Sequence, residues 1–268
     1  SGRTFEGVIH MDNVVLTAEN LVKTYGTEDG RRRVLDGVSL TVRKGEFVSI
    51  MGPSGSGKST LLFALSGTDV ADEGTVRLAG RDLSGLGEKE MADLRRTAIG
   101  FVFQRPMMLP SLNILDNILL PAAHGNRKNM KALAERARYL MRRTGIAGLE
   151  KRGIGQVSGG QLQRAAICRA LINRPQIVFG DEPTGALHSG AAQEVMDLLA
   201  EINKEGTAIL LVTHDIHVAA RTERVLFMRD GSLAGEIRFP EFRREEMAAR
   251  ARAVAEMTER LGFAGQAG

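Results

Sequence analysis

The sequence predicts an α/β fold in which short apolar strands alternate with helices and one sheet edge carries the polar chemistry. Apolar runs at 46–51, 98–103, 176–180 and 208–213 have the length of fully buried strands, and helical patterns fall between them. The stretch Gly52 to Thr60, GPSGSGKST, joins the first run to a helix through a glycine-rich turn. The third run closes on the acid pair Asp181-Glu182.

Val14 to Tyr25 and Arg33 to Val42 alternate apolar and polar residues as half-buried strands, separated by the charged turn Gly26 to Arg32. Tyr25 ends the first of them, where a ring can stack on a base or simply wet its hydroxyl. Residues 1–10 show no period and precede Met11, which could be the natural start, so they are expected outside the fold.

Glu46 to Met51 then enters GPSGSGKST as a strand, and Ser59 to Ser66 leaves it as a helix. The spacing is G-x-x-x-x-G-K-[ST]. Gly52, Gly55 and Gly57 let the backbone curl through Ser54 and Ser56 with amide hydrogens pointing inward, and the helix adds its positive end. Polyphosphate is the ligand such a curl suits. Lys58 would reach the β- and γ-phosphates, the Ser59 hydroxyl would ligate Mg²⁺ and Thr60 would meet the α-phosphate.

Gly74 to Leu78 reads as a short strand, Gly80 to Gly87 as a turn, Glu88 to Arg96 as a charged helix and Ala98 to Phe103 as a buried strand stopping at Gln104. The loop from Arg105 to Pro110 exposes Met and Leu between prolines, either as a docking surface or as a packed loop core. Asn113 to Leu120 and Arg127 to Arg143 have helical spacing, split by Pro121 and the turn Gly125-Asn126, and are expected as a helical insertion over about 105–160. Gly153 to Gly160 is a glycine-studded loop, Gln161 to Leu171 a helix and Gln176 to Gly180 a strand. Ala208 to Thr213 and Arg224 to Arg229 are strands flanking a helix near 216–222, and a hairpin turns at Asp230-Gly231. The tail beyond Pro240, residues 241–268, is a charged helix with Met247, Val254 and Leu261 at heptad spacing, expected to pack on its own domain.

Composition is that of a globular protein: 43% hydrophobic and 25% charged over 268 residues. A net charge of +4 from 36 Lys+Arg against 32 Asp+Glu is too small and dispersed to argue for nucleic acid, and none is expected. A single cysteine, Cys168, excludes an internal disulfide and lies in an apolar helical pattern as a buried, inert thiol. No stretch approaches a membrane span, so a cytoplasmic chain is expected, reaching a membrane only through a partner.

Several later features bear on the cradle. Asp181 and Glu182 close a strand whose carboxyl end should share an edge with it, so Asp181 can hold Mg²⁺ and Glu182 can act as base toward water. Val157-Ser158-Gly159-Gly160-Gln161 opens a helix as a second anion site, or else Ser158 is only an N-cap. Two such helix ends far apart in sequence suggest two chains sharing each nucleotide. Gln104 could reach Mg²⁺ or the water, and the His214 imidazole could bond the γ-phosphate.

With these residues in this order, the sequence resembles the nucleotide-binding subunit of ABC ATPases over about residues 12–240: GPSGSGKST as Walker A, Gln104 as Q-loop, VSGGQ as signature, IVFGDEP as Walker B and His214 as switch histidine. The resemblance implies a P-loop NTPase core over 11–240 with an antiparallel β subdomain and an inserted α-helical subdomain, binding ATP and Mg²⁺. It makes Tyr25 an adenine-stacking residue. It also implies a head-to-tail homodimer in which Ser158, Gly159, Gly160 and Gln161 of one chain complete the site around Lys58 of the other. IGFVFQ followed by LPSLNILDNILLP is similar to the branch of macrolide-export, lipoprotein-release, cell-division and bacitracin-resistance ATPases, whose partners are FtsX-like membrane permeases. The chain would then sit on the inner face of the cell membrane through its permease.

Val157 departs from the leucine usual in the signature, Ile154 from a common proline, and His188 in GALHS from the D-loop aspartate. Imidazole at 188 either alters coupling between two sites or is merely tolerated. An ATPase acting on a soluble scaffold is the alternative reading, and a cassette driving mechanical transmission would carry the same motifs.

Overall fold

The computed structural model describes residues 13–26, 30–123 and 129–263. Two sheets form its frame. The first is four-stranded and antiparallel, in the order β2-β1-β4-β5, from β1 (Val14–Tyr25), β2 (Arg32–Arg43), β4 (Glu73–Leu78) and the short β5 (Arg81–Asp82). The second has six strands in the order β10-β9-β3-β8-β7-β6. Its members are β3 (Phe47–Met51), β6 (Ile99–Phe103), β7 (Ile177–Asp181), β8 (Ala208–Val212), β9 (Arg224–Arg229) and β10 (Ser232–Arg238). All pair in parallel except β9 with β10, which close as a hairpin on Asp230-Gly231, both at positive φ.

The parallel strands read as continuous apolar runs because both faces are covered. Val48, Ile50, Ile177, Phe179, Leu210 and Val212 face a core shared with the antiparallel sheet and α1 (Lys58–Leu65). Their alternates Phe47, Val178, Ile209 and Leu211 face α3 (Ile114–Ala123), α4 (Met130–Arg143), α5 (Gly159–Leu171) and α6 (Ser189–Lys204). α2 (Glu88–Ala98) leads into β6. At the β9–β10 end, α7 (Ile216–Ala219) and α8 (Met247–Arg260) enclose a third cluster, in which Val254 is fully buried near Phe227 and Met51 while Met247 and Leu261 pack on its flank.

Three expectations change. Pro121 does not split its helix: α3 runs through it to Ala123, the lost amide bond offset by burial of Ile118, Leu119 and Ala122 around it, and stops two residues on. α4 begins at Met130, and the turn Gly125-Asn126 lies outside the described residues, as do residues 1–10. The helix expected near 216–222 is the shorter α7, and α6 is an element that the pattern reading did not assign.

Candidate functional site

The carboxyl ends of β3, β8, β7 and β6 lie along one edge of the parallel sheet, and the residues that follow them build the site. After β3 the chain curls through Gly55 at φ 77 and Gly57 at φ 99, the N-cap of α1. A Cβ on Gly57 would stand 2.5 Å from the Val34 carbonyl, so this close approach requires glycine. The curl floors a cleft of about 450 Å³ whose walls include Tyr25, Ser54, Thr60, Asp181, Glu182 and His214.

Lys58 Nζ donates to the carbonyls of Gly52 and Pro53, each at 2.8 Å. Burial holds its pKa below the ordinary lysine value, opposed by the charges of Glu182 and Asp181. The Ser59 hydroxyl donates to Asp181 Oδ1 at 3.1 Å, although Asp181 lies two strands away, beyond β8. Burial pushes the Asp181 carboxyl up, against the Ser59 bond and Lys58. Ser56 and Gly52 sit behind the curl, Ser56 buried with its hydroxyl unpaired.

Glu182 stands at φ 49, a left-handed conformation that costs a non-glycine residue of order 1 kcal/mol or more, and its amide donates to the Val212 carbonyl at 3.0 Å. The bend turns its carboxylate over β8, where Oε1 meets His214 Nδ1 at 2.7 Å. The Glu182 side chain is 17% exposed and that of His214 73%. Gln104 follows β6 but is not part of the cleft lining: its amide nitrogen lies against Gly185, where a Cβ would come within 2.8 Å. Behind both strand ends, the buried Gln163 of α5 donates to the Phe103 carbonyl at 2.9 Å and the Pro183 carbonyl at 2.6 Å.

Ser158 caps α5, its hydroxyl accepting from the Gln161 amide at 3.2 Å while Gln161 Oε1 accepts from the Ser158 amide at 2.9 Å. Gly159 and Gly160 form the first turn of that helix. None of these residues lines the chain's own cleft. His188 caps α6, its Nδ1 accepting from the Ala191 amide at 3.4 Å. Sequence reasoning did not single out Arg32, Val34 and Val212, which also line the cleft. Arg32 stood in an undifferentiated run of arginines, and Val34 and Val212 in ordinary strands. Asp69 carried no signal either: its carboxylate accepts from the Tyr25 hydroxyl at 2.5 Å.

A lysine and a helix end gathered round a glycine curl, with an acid pair opposite, suit a nucleoside polyphosphate, and the strand, glycine turn and helix that carry them form the unit of a P-loop nucleotide hydrolase. Comparison with known proteins narrows the class. The family model described as ABC transporter matches residues 35–185. The chain belongs to that family, as an ATP-binding subunit and ATPase whose cofactors are ATP and Mg²⁺. It is 45% identical over 223 residues to the lipoprotein-releasing system ATP-binding protein LolD 2 of Rhodospirillum rubrum, covering 83% of this chain and 96% of that one. To the macrolide export ATP-binding/permease protein MacB of Pasteurella multocida it is 41% identical over 226 residues, 84% of this chain but 35% of that one. The dimeric post-hydrolysis structure of the ATP-binding cassette MJ0796 with ADP and Pi superposes with a TM-score of 0.78 at 38% identity, covering 85% of this chain and all of that one.

The residues present fit the metal. Ser59 and Asp181 offer adjacent hard oxygens, and no group of three or more His, Cys, Asp or Glu among the described residues could hold an ion unaided. That is the pattern of a cation shared between a few protein oxygens and phosphates. No helix among the described residues is long and apolar enough to cross a membrane.

Proposed function

We propose that this chain hydrolyses ATP as one half of a head-to-tail dimer and drives a separate FtsX-like membrane permease, held at the inner face of the cell membrane, in export or in mechanical transmission. The observation that carries the catalytic part is the 2.7 Å contact between Glu182 and His214 at the rim of the phosphate cradle. In this reading Lys58 exchanges its two carbonyl partners for β- and γ-phosphate oxygens. Tyr25 stacks on the base, while the curl from Gly52 to Thr60 holds the phosphates with its amides. Ser59, Asp181 and Gln104 would hold Mg²⁺, which neutralises charge on the phosphates. Glu182 takes a proton from water as the water oxygen bonds to the γ-phosphorus and the bond to ADP, the leaving group, breaks; His214 hydrogen-bonds the γ-phosphoryl group and holds it in line.

Ser158 and Gly159, exposed, with the half-buried Gly160 and Gln161, all outside the chain's own cleft, supply a second chain's γ-phosphate with amides and a helix end. Resemblance to LolD and MacB, whose names attach them to lipoprotein release and macrolide export, supports an FtsX-like permease as partner. The apolar side chains of Met107 and Leu109, 68% and 46% exposed just after Gln104, suit the groove that would receive it.

Glu182→Gln tests the base. The variant should bind ATP, accumulate as a dimer in light scattering and lose turnover by about 100-fold or more. Normal hydrolysis by that variant would remove Glu182 from the mechanism.

A further inference from the structure

The base platform is not a free tyrosine. The Tyr25 hydroxyl donates to Asp69 Oδ2 at 2.5 Å, in the loop that follows α1. The other oxygen of the same carboxylate accepts from Lys23 Nζ at 2.9 Å. That ammonium also donates to the Val70 carbonyl at 2.5 Å and lies 5.3 Å from the centroid of the Tyr25 ring. Lys23 is 9% exposed although charged, so it is a built part of the fold and not a solvated surface lysine. Asp72 completes the seam by accepting from the Thr24 amide at 2.7 Å.

α1 is therefore tied at both ends to the ligand it would hold. Its amino end follows the phosphate curl, and the loop leaving its carboxyl end grips the strand end carrying the ring. An unanchored, 44% exposed tyrosine at the end of a strand would sample several rotamers and lose that freedom when a base lay on it. Two contacts remove most of that freedom beforehand, one on the hydroxyl and one cation beside the ring.

We propose that Asp69 is a positioning residue for the nucleotide base: with Lys23 it holds the Tyr25 ring at a fixed distance from the phosphate curl, so that base and polyphosphate are bound by one rigid unit. This rests on the reading of Tyr25 as the stacking residue. The consequence is selective. Releasing the ring weakens ligands that carry a base and leaves a bare polyphosphate untouched.

The test uses the full chain, ATP and inorganic tripolyphosphate, each with Mg²⁺, in calorimetric titrations of wild type, Tyr25→Ala, Tyr25→Phe, Asp69→Asn and the double variant Tyr25→Phe/Asp69→Asn. Tyr25→Phe keeps the ring and the Lys23–Asp69 pair and removes the hydroxyl's links to Asp69 and to Thr60, so it reads the tie without disturbing the loop, and Asp69→Asn reads the Asp69 link by itself. Tyr25→Phe and Asp69→Asn should each raise the Kd for ATP by roughly three- to tenfold, the cost of immobilising one side chain on binding, with the tripolyphosphate Kd unchanged. The double variant should be no worse than Asp69→Asn alone, which already lacks the carboxylate that the Tyr25 hydroxyl uses. If Tyr25→Ala binds ATP like wild type, the stacking reading itself is wrong. If Tyr25→Ala is weakened while Tyr25→Phe and Asp69→Asn are not, stacking stands and the positioning role is overturned. Equal loss of ATP and tripolyphosphate in Asp69→Asn would also overturn it, marking Asp69 as a general support of the loop.

Discussion

Cys168 shows how far one residue's surroundings decide its chemistry. It is fully buried, its Sγ lies 3.2 Å from the Thr144 hydroxyl, and burial pushes the thiol from 9.0 up to about 12. Iodoacetamide at about pH 8 should leave the folded chain unmodified and label it fully in guanidinium, as intact mass would report. Labelling of the folded chain at the rate of a free thiol would show the site to be open. The same shift has a sign for stability. The unfolded thiol ionises from its ordinary value while the folded one stays protonated until near 12, so its contribution is whole below 9 and falls as pH rises between the two. The inertness of this thiol was legible from its apolar helical neighbours. The 2.5 Å tie between Tyr25 and Asp69 was not, because 44 residues separate the partners and neither stands in a periodic pattern.

Among the elements, the loop between β6 and α3 is held less by its own residues than by Asn117. This side chain is fully buried in α3 and accepts from the Leu109 amide at 2.7 Å. Its Nδ2 lies 3.0 to 3.1 Å from the carbonyls of Leu109, Leu112 and Asn113. Asn117→Ala would leave several of those backbone groups without a partner, so it should cost about 3 kcal/mol, roughly 10 °C in melting temperature, followed by circular dichroism. A shift within a degree or two would mean that water replaces the amide without loss. Elements with strong local signatures were readable: the parallel strands as unbroken apolar runs, the hairpin at Asp230-Gly231, and α5 from its glycines and Ser158. α6 was not, since SGAAQEV opens with a serine, a glycine and two alanines and its cap is an imidazole, His188, where a hydroxyl or carboxylate is usual. Pro121 misled for a physical reason: the burial of Ile118, Leu119 and Ala122 that carries the helix past the ring is tertiary and leaves no local sign.

For the whole molecule, the separation of Ser158 to Gln161 from the cleft holding Lys58 bears on assembly. Ser158→Arg and Lys58→Ala should each abolish ATP hydrolysis. Mixed in equal amounts they should regain it, because a C₂ dimer of one variant with the other keeps one composite site of its two wild type, about a quarter of all sites in the mixture. Phosphate release measured on the mixture decides the matter: persistent inactivity, or activity in Ser158→Arg alone, would show that each chain works by itself. The shared edge of the candidate site was predictable from the sequence, since apolar strands run into Gln104, into Asp181-Glu182 and into Thr213-His214, and a fourth into the glycine turn after Met51. The strand order was not. That β8 lies between β3 and β7, so that Ser59 and Asp181 reach across an intervening strand, is a property of long-range pairing that no local pattern encodes.

Gln163 gives this architecture its gearing. A single amide nitrogen grips the carbonyl immediately before Gln104 and the one immediately after Glu182, from the helix that Ser158 opens. Rotating that helix would therefore draw on both strand tips together. A swivel of the helical layer against the sheet would load both carbonyls through one shared amide.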